Sequence, residues 1–323
     1  MLFHIRDGRI GEASGIAPGL ASPGVFYVEN DSGDTHRFFA LNRRTGATAA
    51  VITVSNARNV DWEDIAVARD AAGTPSVWLA DIGDNDAKRN EVEVYRVREP
   101  HIRPTSRQRS IHVRATAVWR LRYPSGPVNA ESLAVAPGGT AYIATKTAGA
   151  AVVYRLPARP AAGRAQLLRR VGRVPLLTGT ANPLALLGAT SAAFARNGAV
   201  FVLRTYVDAY VWRVGPSGLS AALHHAPKRV ALPRQRQGEG IALVGRRLVI
   251  DSEGRRTPVY AVPFALPATH HNTPSPRPTR TATPTPHHKG GGGPASWLAV
   301  IALVGLGILG LLVLALRHAY RSH

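Results

Sequence analysis

Short apolar runs that end in polar residues recur along the first 265 residues of the chain. They belong to units of about 50 to 68 residues, and each unit opens with a related motif. The five copies are EASGIA from Glu12, EDIA from Glu63, ESLA from Glu131, SAAF from Ser191 and EGIA from Glu239. Internal repetition at a fixed spacing is the mark of a repeat architecture, so we interpret the whole region as one repeated structure.

Each motif is followed by two or three further strand-like stretches. The second strands are VFYVEND from Val25, VWLADIGDN from Val77, AYIATK from Ala141, VFVLRTY from Val200 and LVIDSEG from Leu248. The third strands centre on an aromatic residue, as in VEVYRV from Val92, and a looser fourth strand follows, as in TAAVITV from Thr48. Turn sequences separate the strands. Repeated four-stranded units of this size are typical of propeller blades.

The two ends of this region predict how the ring closes. The last unit reaches only its third strand, at Tyr260, whereas the chain starts with a lone strand pattern, FHIRDGRI. An N-terminal strand that completes the last blade would remove the open sheet edges. We therefore predict an all-β, monomeric propeller of five four-stranded blades over residues 1–265. Six blades are also consistent with the sequence, because Arg98 to Pro127 is long enough to hold extra strands.

A membrane anchor is predicted at the C-terminus. Residues 266–294 are rich in Pro, Thr, His and Gly, and such a stretch cannot bury a core, so we expect a disordered stalk. Residues 295–317 contain an uncharged apolar run, WLAVIALVGLGILGLLVLAL, whose length suits a transmembrane helix. Residues 318–323 form a short basic tail.

The sequence gives conflicting signals about the orientation of this single-pass anchor. Arg317 and Arg321 favour a cytoplasmic tail, and the Pro/Thr-rich stalk favours a propeller at the cell surface. That topology requires a signal peptide, which the opening residues MLFHIRDGRI do not resemble. We expect that Met1 is not the natural start; insertion by the tail, with the propeller inside, is the alternative.

The amino-acid composition of the chain limits the kinds of site and partner that it can have. The chain has no cysteine, which excludes disulfides and thiolate sites. The formal net charge of +20 would suit nucleic acid, but 36 of the 40 basic residues are arginine in a chain rich in alanine, glycine and proline, which is typical of a GC-rich genome. No recognition motif accompanies the charge, so nucleic acid is not an expected partner. Fifteen of the twenty carboxylates precede Pro100, which favours an acidic site in the first blades.

Four glutamates are candidate ligand-binding residues of the central channel. They open the repeated motifs and are Glu12, Glu63, Glu131 and Glu239. Because the first strand of each blade lines the channel, equivalent carboxylates would converge there. Like charges held close raise one another's pKa unless cations intervene. The alternative is that each carboxylate accepts hydrogen bonds from a neighbouring blade and locks the ring.

A second ring of candidates follows the second strands. The metal candidates are Asp31 and Asp34 in DSGD, Asp81 and Asp84 in DIGD, and Asp251 in DSEG. Lys146 and Arg204 are the expected basic counterparts in blades three and four, and they would suit an anionic ligand. Oxygen ligands suit calcium, which is the candidate cofactor. Alternatively, the aspartates cap their own loops.

The first 265 residues contain the motifs EASGIA, NDSGD, DWEDIA, ADIGDN, VYRVREP, RTYVDAYVW and QGEGIAL. Together these motifs resemble a family of actinobacterial exported β-propeller proteins described as WD-repeat-like. The resemblance spans nearly all of residues 1–265 and implies a propeller at the cell surface, with no established reaction.

Two functions stay open. The first is a non-catalytic propeller that binds a small-molecule or protein ligand at its channel rim. The second is a calcium-dependent phosphoester or ester hydrolase of phytase-like type, which would use metal-bound water. The binding protein is favoured because no complete catalytic motif is visible in the sequence.

Overall fold

The computed structural model describes residues 1–104, 108–176 and 188–267, all within one compact unit, Met1–His270. In these residues the strands form five sheets, each built around four antiparallel strands. The structure therefore confirms an all-β propeller of five blades. The predicted stalk beyond residue 267, the membrane span and the basic tail lie outside the described residues.

The first two blades carry the acidic motifs. The strands of blade one are β2 (Ala13–Pro18), β3 (Val25–Asn30), β4 (Arg37–Asn42) and β5 (Thr48–Val54). The strands of blade two are β6 (Trp62–Arg69), β7 (Pro75–Asp81), β8 (Val92–Arg98) and β10 (Ala117–Arg122). In every blade the first strand is the innermost, and consecutive strands pair antiparallel.

Blades three and four follow the same plan. Blade three consists of β11 (Ala130–Val135), β12 (Ala141–Thr145), β13 (Ala150–Arg155) and β15 (Arg169–Pro175). Blade four consists of β16 (Ser191–Phe194), β17 (Val200–Arg204), β18 (Asp208–Arg213) and β19 (Lys228–Ala231). One short helix, α1 (Gly218–Ala222), links the last two of these strands. No helix in the described part of the chain is long and apolar enough to cross a membrane.

Blade five is completed by the N-terminus, as the sequence predicts. Its strands are β20 (Ile241–Val244), β21 (Arg247–Ile250), β22 (Pro258–Pro263) and β1 (Phe3–His4). Phe3 pairs with Val259 in an antiparallel register. The inner strand of each blade contacts the next, and β20 contacts β2, so the ring is closed.

The long segment after β8 does not make a sixth blade. It holds β9 (Arg109–Val113), which pairs parallel with β5 of blade one, before the chain returns to form β10 of blade two. In the same way β14 (Gln166–Leu167) leaves blade three to pair parallel with β10. The extra strands cover the outer edges of blades one and two and tie neighbouring blades together.

The apolar cores lie between the blades. The side chains of each sheet face both neighbouring sheets, so buried residues collect into five interblade clusters. Trp62 is fully buried in the cluster between blades one and two. Its indole Nε1 donates to the Arg58 carbonyl at 2.7 Å, so the ring is held at its polar end as well.

Candidate functional site

The strand register shows which predicted glutamates are equivalent. Inner and second strands pair at Ile16–Val28, Ile65–Leu79, Leu133–Ile143, Ala192–Leu203 and Ile241–Ile250. Two residues before each inner member stand Ser14, Glu63, Glu131, Thr190 and Glu239. Three of the four predicted glutamates therefore share one position. Glu12 does not: it lies two residues too early, because EASGIA has three residues between its glutamate and its Ile-Ala pair, whereas EDIA has one.

The strand register also corrects the predicted positions of the second set of candidates, which follow the second strands. Three residues beyond each second-strand partner stand Asp31, Ile82, Lys146, Tyr206 and Glu253. Asp31 and Lys146 are equivalent, as expected. Arg204 and Asp251 lie two residues deeper, and their expected places at the rim are taken by Tyr206 and Glu253. Because the second strands end in several polar residues, the sequence alone does not show this two-residue offset.

Lys146 is the cation that holds the buried glutamates. Its Nζ lies 2.5 Å from Glu131 Oε2 and 2.8 Å from the Tyr206 hydroxyl, and it stands 4.9 Å from the centre of the Tyr206 ring. The ion pair and the cation–π contact together fix the ammonium between blades three and four. Burial raises the pKa of Glu131 to about 8, and Lys146 acts in the opposite direction. The pKa of Glu239 is about 7 for the same reason.

A tighter acidic cluster lies on the first two blades. Carboxylate oxygens of Asp31, Asp61 and Glu63 all lie within 4.8 Å of one another. Burial is the main cause that raises the pKa of Asp61 to about 7, followed by a hydrogen bond with Asp31. Burial also raises the pKa of Glu63 well above its ordinary value, and Glu131 and Asp31 add to that. This arrangement can take up protons or a cation.

Gly83 makes room for this cluster. A Cβ atom at that position would overlap Glu63 Oε1 and Asp61 Oδ2. The Gly83 N–H donates to the Asp61 carbonyl at 3.1 Å, which holds the DIGD loop against the carboxylates. The sequence motif Asp-x-Gly-Asp thus contributes through its glycine, and Asp61 belongs to the cluster although it was not among the predicted site residues.

The remaining metal candidates already have protein partners. Asp34 forms an ion pair with Arg37 at 2.8 Å, and Asp81 forms one with Arg89 at 2.8 Å. Asp84 accepts the N–H groups of Lys88 and Arg89 at 2.8 and 2.9 Å, which is the loop-capping role that the sequence allowed. Of the five aspartates, Asp31 is the one that joins the carboxylate cluster.

Two further candidates are buried inside the ring. Asp251 accepts the Gly240 N–H at 2.7 Å, and burial raises its pKa to about 6. Arg204 is fully buried and donates to the carbonyls of Gly240 and Asp251 and to Gln235 Oε1. Arg204 ties blade four to blade five, and neither residue faces the rim.

Asp64 closes the channel below the rim. Its Oδ2 accepts hydrogen bonds from Leu133 N at 2.8 Å, Ser191 Oγ at 3.0 Å and Ala192 N at 3.3 Å. The Ser191 hydroxyl oxygen in turn accepts the Ile241 N–H at 3.1 Å. One side chain of blade two therefore bonds directly to two other inner strands and is linked to a third through Ser191. This is the ring-locking role that we considered for the glutamates on the basis of the sequence.

Small residues make space for this carboxylate. The positions equivalent to Asp64 on the other inner strands are Gly15, Ser132, Ser191 and Gly240. Glu29 lies beside it: a Cβ on Gly15 would be 2.8 Å from Asp64 Oδ1 and 2.9 Å from Glu29 Oε1. Burial, reinforced by the charge of Asp64, raises the pKa of Glu29 well above its ordinary value. A single large polar residue facing glycines and serines in every other repeat is the signal that would have identified this position.

Below Asp64 the channel is apolar. A cavity of about 240 Å³ is lined by all five inner strands, with side chains such as Ile16, Val67 and Leu243. Arg69 and Arg196 lie at its mouth. The two halves of the channel therefore differ in chemistry: the half above Asp64 is acidic, and the half below it is apolar with arginines at the opening.

No family model matches the chain, and no curated protein does. A crystal structure of a protein from Lactobacillus plantarum aligns over 77% of this chain and 80% of its own, with 12% identity and a TM-score of 0.36. At that level of similarity the interpretation of the site rests on its own geometry.

Proposed function

We propose that this protein is a non-catalytic, membrane-anchored propeller of the cell surface, and that its acidic channel rim binds a cationic ligand. The anchor is the apolar run within residues 295–317, and the stalk before it would hold the propeller off the membrane. The observation that carries the binding role is the cluster of Asp31, Asp61 and Glu63 beneath the rim.

Charge balance supports a cationic ligand over an anionic one. Asp31, Asp61 and Glu63 lie together, and the ammonium group of Lys146 is engaged by Glu131. Arg89 is likewise engaged by Asp81. Carboxylates held this close must take up protons or a cation to relieve their repulsion. An anionic ligand would add to that repulsion, whereas a cation would remove it.

Calcium is the simplest ligand that fits these donors. It takes six to eight oxygen ligands and accepts irregular geometry, so three carboxylates with solvent completing the shell would give a weak site. Weak sites of this kind bind with dissociation constants of about 0.1–1 mM in extracellular modules. The hydrolase alternative has no observation on the rim that favours it.

The test is calorimetric titration of the full-length chain with calcium, repeated with magnesium. We expect calcium to bind and Glu63→Gln to weaken binding at least tenfold, because the variant removes a charge and one ligand oxygen. Glu91→Gln is the matched control, since Glu91 pairs with Arg120 and Arg122 on the outer part of blade two. Equal affinities in all three proteins, or no binding at millimolar calcium, would contradict the proposal.

A hydrolysis assay decides between the two functions. Calcium-dependent turnover of a chromogenic phosphoester that is lost in Glu63→Gln, but kept in Glu91→Gln, would replace the binding protein with the hydrolase. Calcium binding without turnover supports the non-catalytic role.

A further inference from the structure

The apolar half of the channel contains a well-defined cavity. It has a volume of about 240 Å³ and receives side chains from all five inner strands. It stays open because many of these side chains are alanine, among them Ala66, Ala192, Ala193 and Ala242. Larger residues at these positions would fill the channel, as they fill the spaces between the blades.

The inner end of this cavity is closed. Asp64 lies directly above Ile65 and Ala192, which line the cavity, and its hydrogen bonds to Leu133, Ser191 and Ala192 join the strands there. A ligand can therefore enter only from the mouth. Glu29 and Asp64 are both buried behind this floor, so an anionic group would be unfavourable at the inner end and favourable only at the mouth.

The mouth is basic. Arg69 and Arg196 line it, and both are exposed. Each is anchored by one hydrogen bond, from Arg196 Nη2 to the Gly19 carbonyl at 2.8 Å and from Arg69 Nη1 to the Gly73 carbonyl at 2.7 Å. A guanidinium has five N–H donors, so each retains donors for a ligand. No carboxylate lies among the described residues that line the cavity.

A second cavity continues outward from the first. It has a volume of about 510 Å³, shares Pro18, Ala195, Arg196 and Leu243 with the inner one, and adds Arg43 and Arg246 at its edge. Arg196 thus stands where the two cavities meet. No carboxylate lines the described part of this outer cavity either, so positive charge continues along the path of entry.

From these observations we propose that the apolar half of the channel binds a small anionic amphiphile, with its acyl tail against the alanines and its carboxylate at Arg196 and Arg69. Pockets for drug-sized ligands run from about 300 to 1,000 Å³, so the inner cavity suits one short acyl chain. An apolar cavity of this kind is poorly hydrated, which favours entry of an apolar tail. This site is independent of the proposed cation-binding rim.

The proposal is tested with octanoate, titrated into the full-length chain by calorimetry. We expect saturable binding at one site. Ala193→Phe should abolish it by filling the cavity, and Arg196→Gln should weaken it roughly tenfold by removing a charge-assisted hydrogen bond. Arg247→Gln is the control, because Arg247 is an exposed residue of β21 that lines neither cavity. If Ala193→Phe does not fold, Ala66→Leu replaces it.

Two further measurements are needed. One distinguishes the contribution of the acyl tail from that of the carboxylate, and the other distinguishes binding of a free ligand from binding to a membrane. Octanol should bind more weakly than octanoate to the natural chain, and equally weakly to Arg196→Gln. Loss of octanoate binding in Arg247→Gln to the same degree as in Arg196→Gln would overturn the site. Saturable binding of the protein to vesicles of anionic phospholipid that octanoate does not inhibit would also overturn the site. The arginines would then form a membrane-binding surface.

Discussion

Oδ2 of Asp64 and the hydroxyl oxygen of Ser191 lie 3.0 Å apart at the centre of the propeller, although the two residues are 127 positions apart in the chain. The same carboxylate oxygen accepts two backbone N–H groups from blades three and four. Asp64 therefore does two things. It joins the inner strands across the channel, and it separates the acidic half from the apolar half.

The first prediction concerns this contact. Asp64→Ala should lower the free energy of unfolding by about 3 kcal/mol, because it leaves several buried donors without an acceptor and opens a cavity. Denaturant unfolding measures the change. Asp86→Ala is the control: this exposed aspartate forms an ion pair with the exposed Lys88 at 2.9 Å, so its effect should stay within about 0.5 kcal/mol. Similar losses in the two variants would show that Asp64 has no special role.

The sequence allowed the blades to be predicted because every blade repeats the same alternation of apolar strands and turns. Closure by Phe3–His4 was also predictable, since a missing fourth strand and a lone first strand are visible in one chain. The excursion of β9 to blade one was not, because parallel pairing with β5 depends on the spatial order of the blades. Local patterning carries no information about that order.

The site was predicted only in part, and the reason is register. Glu63, Glu131 and Glu239 were found because each stands two residues before an Ile-Ala or Leu-Ala pair. Glu12 was misplaced because the motifs were matched at their glutamates, although EASGIA has two more residues than EDIA before its Ile-Ala pair. Arg204 and Asp251 were misplaced by two residues because their position depends on the pairing of the second strand with the inner strand, which the sequence does not show. Asp64 was missed because its role comes from the small residues opposite it, and not from a repeat.

The second prediction uses Gly83. Gly83→Ala should weaken calcium binding at the rim at least tenfold, because the added methyl group would displace Glu63 and Asp61 from each other. Calorimetric titration measures the affinity, and near-UV circular dichroism checks the fold. Gly215→Ala is the matched control, since a Cβ there meets no atom within 4 Å. Unchanged calcium affinity in a folded Gly83→Ala protein would count against the cluster as the binding site.

The third prediction concerns pH. Glu239 has a pKa of about 7 when folded, against an ordinary value of 4.5, because burial outweighs the effects of Lys146 and Arg204. The folded state thus holds a proton that the unfolded state releases. Its contribution to stability is complete below about pH 4.5 and is lost as the pH rises through about 7.

This dependence can be measured by denaturant unfolding at pH 5 and pH 8, without divalent cations. The natural chain should lose more stability over this range than Glu239→Gln, by about 2–3 kcal/mol for a shift of this size. Glu91→Gln serves as the control, because an exposed carboxylate paired with arginines should leave the slope unchanged in this pH range. Parallel pH profiles for the natural chain and Glu239→Gln would refute the assignment.

The fourth prediction concerns ring closure. Phe3 is buried between blades five and one, where its ring centre lies 6.0 Å from that of Phe26. Phe3→Ala should reduce the free energy of unfolding by about 3 kcal/mol through the cavity that it leaves. Met1→Ala, at a residue that is 71% exposed, should have almost no effect. A loss below about 1 kcal/mol for Phe3→Ala would mean that the N-terminal strand contributes little to closure.

The last prediction is a double-mutant cycle on Lys146 and Glu131. Lys146→Met leaves a buried carboxylate without its ion pair at 2.5 Å and should cost about 3 kcal/mol at pH 8. Adding Glu131→Gln should recover part of this loss, because the uncompensated charge is then removed. We expect a coupling energy above about 1 kcal/mol for this pair and a smaller one for the exposed pair Lys88–Asp86. Equal coupling in both pairs would show that burial does not strengthen the interaction, and that Lys146 is not what balances the carboxylates of the rim.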